Sequence, residues 1–174
     1  MVLPTYLLLA IGLLGGADIL FFHTLAQQLH RHRPARAELV THCLRGPTYA
    51  LLFLGVPNFS FEGAWFWALV ALLVFDAAIS VADFWLEPES RRDLGGLPRG
   101  EYLLHVAIAA GFGALLLSIW NEAGPGRAAP TALRWIDSGA PPVLRGLLAL
   151  MAPAVLWTAL RDLAAVIRLG RKTA

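Results

Sequence analysis

Five apolar stretches, each of roughly the 20 residues that a bilayer crossing needs, follow one another along this chain with only short breaks between them. They are placed at about 3–28, 37–57, 63–86, 101–120 and 142–166. Pro57, Gly63, Pro88, Gly95, Gly96, Pro125, Pro141 and Pro142 supply the interruptions. A water-soluble fold cannot use so much apolar length. The fold class expected is therefore all-α: a polytopic membrane protein forming one transmembrane domain over 1–174.

Composition agrees. Apolar residues make up 57% and charged residues 15%, with a mean hydropathy of +0.62, against about 45–50% and 25% in a soluble domain. The pI near 9.1 comes from a net charge of only +2. Its basic residues sit in short loops, so no nucleic-acid partner is expected. Cys43 is the single cysteine, which excludes an internal disulfide and a cysteine-based zinc cluster. The first span has no basic residue ahead of it and no A-x-A site, so it reads as a retained helix.

The basic residues set an orientation. Arg31, Arg33, Arg36, Arg91, Arg92, Arg99, Arg168, Arg171 and Lys172 fall on one side, and Arg127, Arg134 and Arg145 on the other. The bias places the first side in the cytoplasm and the N-terminus outside.

Ionisable residues inside spans are costly and normally face a protein interior. Here they are Asp18 and His23; Glu38, His42 and Arg45; Asp76 and Asp83; Glu101 and His105; Arg161 and Asp162, with Glu87 at the third span's end. In antiparallel spans all of them fall in the cytoplasmic leaflet. At about 1.5 Å per residue, His23, His42 and His105 lie roughly 8–10 Å below the helix ends. Asp18, Arg45 and Asp76 lie deeper, at roughly 15 Å, and form an expected Asp–Arg–Asp cluster. Glu38, His42 and Arg45 share one face, as do Asp76, Asp83 and Glu87, and Glu101 and His105 repeat the Glu-x-x-x-His spacing. Asp18 and His23, five apart, point in less similar directions.

Three imidazoles with carboxylates at one depth are a metal-ligand inventory. The expected ligands are His23, Glu38, His42, Asp83, Glu101 and His105, enough for two ions. Glu87 is a further ligand or a lid residue, and Asp18, Arg45 and Asp76 are outer groups that orient ligands and balance charge. Abundant carboxylates and no cysteine point to iron, with manganese or zinc as alternatives. The inventory resembles that of the di-iron carboxylate helix bundles, which combine Glu and Glu-x-x-His ligands from four helices, although the spacing here is i, i+4. The Asp18-to-His23 spacing and the segment 94–105 (LGGLPRGEYLLH) resemble small bacterial multi-pass inner-membrane proteins. That resemblance implies a bacterial inner membrane and brings no activity with it.

The expected function is a metal-dependent oxidoreductase acting on a membrane lipid or apolar small molecule. The other readings are a haem-binding electron carrier, a proton relay and a non-enzymatic scaffold. No serine-histidine-aspartate signature and no nucleotide-binding glycine motif is present.

Packing expectations complete the reading. Gly12 and Gly16 form a GxxxG pair, which suits close helix contact or a homo-oligomer. Spans one to four are expected to make a four-helix core, with the fifth, bent at Pro153, at its edge. Arg161 and Asp162 read as a helix-packing pair, and Asp83 as a partner for Arg92. His30 and His32 read as part of an interfacial basic run. The loop 88–100 reads as a lid or a plain connector.

Overall fold

A computed structural model describes residues 1–171; Lys172, one of the basic residues used for orientation, lies outside them. Five long helices form: α1 (Val2–Asp18), α2 (Arg36–Gly55), α3 (Ala64–Arg91), α4 (Arg99–Ala123) and α5 (Pro142–Arg171). A π-helical turn, Ile19–Ala26, continues α1, and a 3-10 turn, Leu29–Arg31, leads toward α2. Two short strands, β1 (Phe59–Glu62) and β2 (Ala132–Trp135), pair antiparallel with Phe59 opposite Trp135. Sequence reading missed this ribbon, because each strand is four residues long and its partner is distant in the chain.

Four helical stretches are long and apolar enough to cross a membrane: Val2–Ala26, Ala64–Leu94, Arg99–Ala128 and Pro142–Arg171. The second expected span, α2, falls short of that measure. It carries Arg36, Glu38, His42 and Arg45 and compensates by position. Half of its 20 residues are buried, because α5 and α3 pack along it. A helix surrounded by protein can hold polar residues that a lipid-facing helix cannot.

The fifth helix is not peripheral. A Cβ at Gly46 of α2 would overlap that of Ala159 on α5, so the missing side chain lets the two backbones approach. Leu29, Ala35, Leu39, Ala165, Val166 and Leu169 form a small core along this contact. The main core draws Leu8, Tyr49, Phe53, Leu69, Leu73, Leu115 and Leu148 from all five helices. Spans one to four therefore do not close a core by themselves. In so uniformly apolar a helix as α5, residue type does not reveal which face is buried. Gly12 is used internally, against Phe53 and Met151, whereas Gly16 has no neighbour within 4 Å of an added Cβ. The pair therefore does not act as one contact surface.

Antiparallel packing sorts the molecule into two ends. At one, the Met1 amino group pairs with Glu122 at 2.7 Å, and Arg145 binds the Asn58 side-chain oxygen next to the ribbon. At the other, α1 meets the start of α4, α2 meets the ends of α3 and α5, and the buried charges collect.

Candidate metal centre

The first half of the site comes from α1 and α4. An α-helix would set residues five apart about 140° from each other. The wider π-helical turn that begins at Ile19 brings His23 back over Asp18, with Nε2 3.3 Å from Asp18 Oδ2. On α4, Glu101 and His105 occupy successive turns of the facing side. His23 Nε2 is 3.0 Å from Glu101 Oε1, and His105 Nε2 is 3.1 Å from Asp18 Oδ2. Behind His105, Glu87 Oε1 lies 3.1 Å from Nδ1. π-Helical turns are rare and recur at functional sites.

The second half comes from α2, with support from α3 and α5. The His42 ring stacks on His23, centroids 4.8 Å apart and planes 6° from parallel. Its Nδ1 is 3.3 Å from Asp162 Oδ2 on α5, and Nε2 is 3.8 Å from Asp83 Oδ1. One turn before His42, Glu38 accepts a very short hydrogen bond from Ser90 Oγ. Arg91, fully buried, joins the halves: its Nη2 is 2.8 Å from Glu38 Oε1 and 2.6 Å from Glu101 Oε1.

A deeper group borders the site. Arg45 Nη1 is 3.3 Å from Asp83 Oδ2 and Arg45 Nε is 3.6 Å from Asp76 Oδ1. Thr41 Oγ1 donates to Asp83 Oδ1 at 2.5 Å. The expected Asp–Arg–Asp cluster thus exists with Asp83 in the place foreseen for Asp18. Asp18 instead faces His105, and the π-helical turn that follows it brings His23 to the same carboxylate oxygen. Arg92 is exposed and pairs with Glu89 at 3.1 Å, not with Asp83.

Two groups of residues could each hold a metal ion: Asp18, His23, Glu101 and His105; and His23, Glu38 and His42. In each, one donor atom per residue lies within 4.8 Å of the others, and every member is buried. Of the six expected ligands, His23, Glu38, His42, Glu101 and His105 come together, and Asp83 lies outside both groups. Sequence reading missed Arg91 and Asp162. Arg91 falls in the expected loop 88–100, yet α3 continues through Pro88 to Arg91. Asp162 is expected to pair with Arg161. That contact exists, at 3.2 Å, but the other carboxylate oxygen reaches His42.

The donor chemistry fits a divalent ion. Metal bonds of about 2.0–2.2 Å require ligand atoms roughly 3.0–3.5 Å apart, and the Asp18, His23, Glu101 and His105 contacts measure 3.0–3.3 Å. Asp18 Oδ1, His23 Nδ1 and Glu101 Oε2 are buried with no hydrogen-bond partner among the described residues. Such orphans cost about 1–3 kcal/mol each; they are the other edges of the same three side chains, whose Oδ2, Nε2 and Oε1 atoms make the contacts of 3.0–3.3 Å.

No protein-family model, no curated protein and no solved structure matches the chain. The site must therefore be read from its own geometry.

Proposed function

We propose that this chain is an integral membrane protein whose buried histidine–carboxylate cluster holds two transition-metal ions, iron first, and acts as a metal-dependent oxidoreductase on an apolar substrate. The carrying observation is the set Asp18, His23, Glu101 and His105, with contacts between neighbouring donor atoms of 3.0–3.3 Å. Charge supports two ions. Asp18, Glu38, Asp76, Asp83, Glu87, Glu101 and Asp162 are all buried, and all but Asp18 and Glu87 meet the guanidinium of Arg45, Arg91 or Arg161. With neutral imidazoles, a surplus of four negative charges remains, which two divalent ions offset.

The outer carboxylates suit the same reading. Asp162 at His42 and Glu87 at His105 each engage Nδ1, leaving Nε2 for the centre. This is how carboxylates orient metal-binding imidazoles. Iron there would supply oxygen activation; zinc or manganese would fit the same donors, zinc polarising water instead. An apolar groove of about 380 Å³ between α3 and α4, lined in part by Leu73, Val74, Gly113 and Leu117, lies about two helical turns from His105 and suits an alkyl chain. The basic residues around the polar end support an orientation with this end in the cytoplasm and the N-terminus outside; a bacterial inner membrane is what the resemblance of segment 94–105 implies.

Metal analysis of the purified chain from metal-replete cells tests the proposal. The expected result is iron approaching two per chain, lost in His105→Ala with the helical fold retained. Transition metal below a tenth of an equivalent would sink it. A second reading has a specific observation behind it: the contacts His105–Asp18–His23–Glu101–Arg91–Glu38 are continuous, as a proton-holding chain would be. That reading requires a metal-free protein.

A further inference from the structure

We propose that the polar end of the bundle carries a binding site for the phosphodiester of an anionic membrane phospholipid, built from the 3-10 turn Leu29–Arg31, the start of α2 and the last turns of α5. This site rests on the membrane reading above and not on the metal. Its material is five exposed arginines, Arg31, Arg33, Arg36, Arg168 and Arg171. Two of them tie the segments together: Arg168 Nη2 donates to the His30 carbonyl at 2.8 Å, and Arg36 Nε donates to the Val166 carbonyl at 3.1 Å.

These arginines lack a counter-charge, as Arg99 and Arg127 do, and unlike those two they lie on adjoining segments tied by hydrogen bonds. Elsewhere on the surface Arg92, Arg134 and Arg145 pair with Glu89, Glu62 and Asp137. Among the described residues, none of the five has a carboxylate within ion-pair distance. The sequence supplies none nearby either, since 24–37 and 163–171 contain no Asp or Glu. Unpaired guanidiniums in a planar fork are the preferred partners of phosphate oxygens.

The neighbouring surface favours a lipid over a free anion. A shallow hollow of about 480 Å³ is lined by Ala164, Ile167, Arg168 and Arg171, so guanidinium and hydrocarbon share one recess. Exposed Leu160, Leu163 and Ile167 continue the apolar face down α5, where an acyl chain would lie under its headgroup. Burial, and after it the charges of Arg161, Arg31 and Arg168, hold His30 below the ordinary imidazole value. The charge of the site comes from its five guanidiniums, which keep their protons at any ordinary pH.

The full chain is reconstituted in bilayers of equal parts phosphatidylglycerol and phosphatidylcholine, and the lipids it retains on release are weighed by native mass spectrometry. Wild type is expected to enrich phosphatidylglycerol. R168Q/R171Q and R31Q/R33Q are each expected to cut that enrichment about tenfold or more, and R134Q to leave it intact. Excess inorganic phosphate should not displace the lipid. An inserted chain that retains the two lipids in their bulk ratio, or arginine variants that enrich as wild type does, would overturn this site alone. Displacement by inorganic phosphate would reassign it to a soluble anion. A chain that does not enter bilayers would overturn the membrane reading and this site with it.

Discussion

The same helices build two ends by opposite physics. Toward the ribbon, α1 offers Leu8 and Ile11, α4 offers Leu115 and Ile119, and α5 offers Leu148 and Ala152, all buried against one another. Toward the other end, α1 offers Asp18 and His23, α4 offers Glu101 and His105, and α5 offers Asp162. The apolar end is held by many weak contacts, and on the membrane reading its hydrophobic drive is small. The polar end is held by few strong contacts, each leaving a buried charge exposed to oil if its partner goes. A change in size should be tolerated at the first end better than a change in charge at the second.

The largest expected effect tests that contrast directly. Arg91→Met removes the guanidinium between Glu38 and Glu101 and leaves two buried carboxylates without their positive charge, Glu38 holding Ser90 and Glu101 holding His23. Breaking a buried pair costs about 3–5 kcal/mol. Thermal unfolding in detergent should show the variant far below wild type, whatever metal is supplied. Leu115→Ala, at a fully buried site of the apolar end, should cost about 2 kcal/mol, near the lower limit for a core leucine, because lipid-like surroundings lessen the transfer term. If the two variants unfold together, the division between the ends is wrong.

The contrast also separates what was legible in the sequence from what was not. That His23, His42 and His105 meet at one level of the bundle was legible, because helix rise is a reliable ruler. The pairing of Asp18 with His23 was not, since nothing in ILFFHTLA announces a π-helical turn and ordinary winding separates the two. Arg91 was hidden by the expectation that Pro88 ends a helix. Asp162 was masked by its neighbour Arg161. The apolar end was legible only as apolar: a helix that is hydrophobic on every side does not show which face it buries, and so α5 was misplaced.

Smaller effects sharpen the comparison within the polar end. Glu87→Gln keeps size and removes charge behind His105 Nδ1. On the metal reading it should weaken metal retention about 10–100-fold, read by competition with a chelator, with little change in unfolding temperature. Asp162→Asn should weaken retention likewise through His42 and also lower the unfolding temperature, because it takes the counter-charge from Arg161. If either variant unfolds the protein while metal content is unchanged, these carboxylates serve the fold and not an ion.

Glycine substitutions give the smallest effect and the cleanest control. Gly12 and Gly16 lie one turn apart on α1 and share the GxxxG spacing, but an added methyl at Gly12 meets Phe53 Cζ at 2.8 Å, while at Gly16 it meets nothing within 4 Å. Gly16→Ala therefore gains helix propensity without a clash and should stabilise by about 0.4–1 kcal/mol. Gly12→Ala forces Phe53 and Met151 to move and should cost about 1–3 kcal/mol. Unfolding measured in detergent at two protein concentrations checks both. A Gly16→Ala loss that grows on dilution would show that Gly16 meets a second copy of the chain, and the apolar end would then be an interface as well as a core.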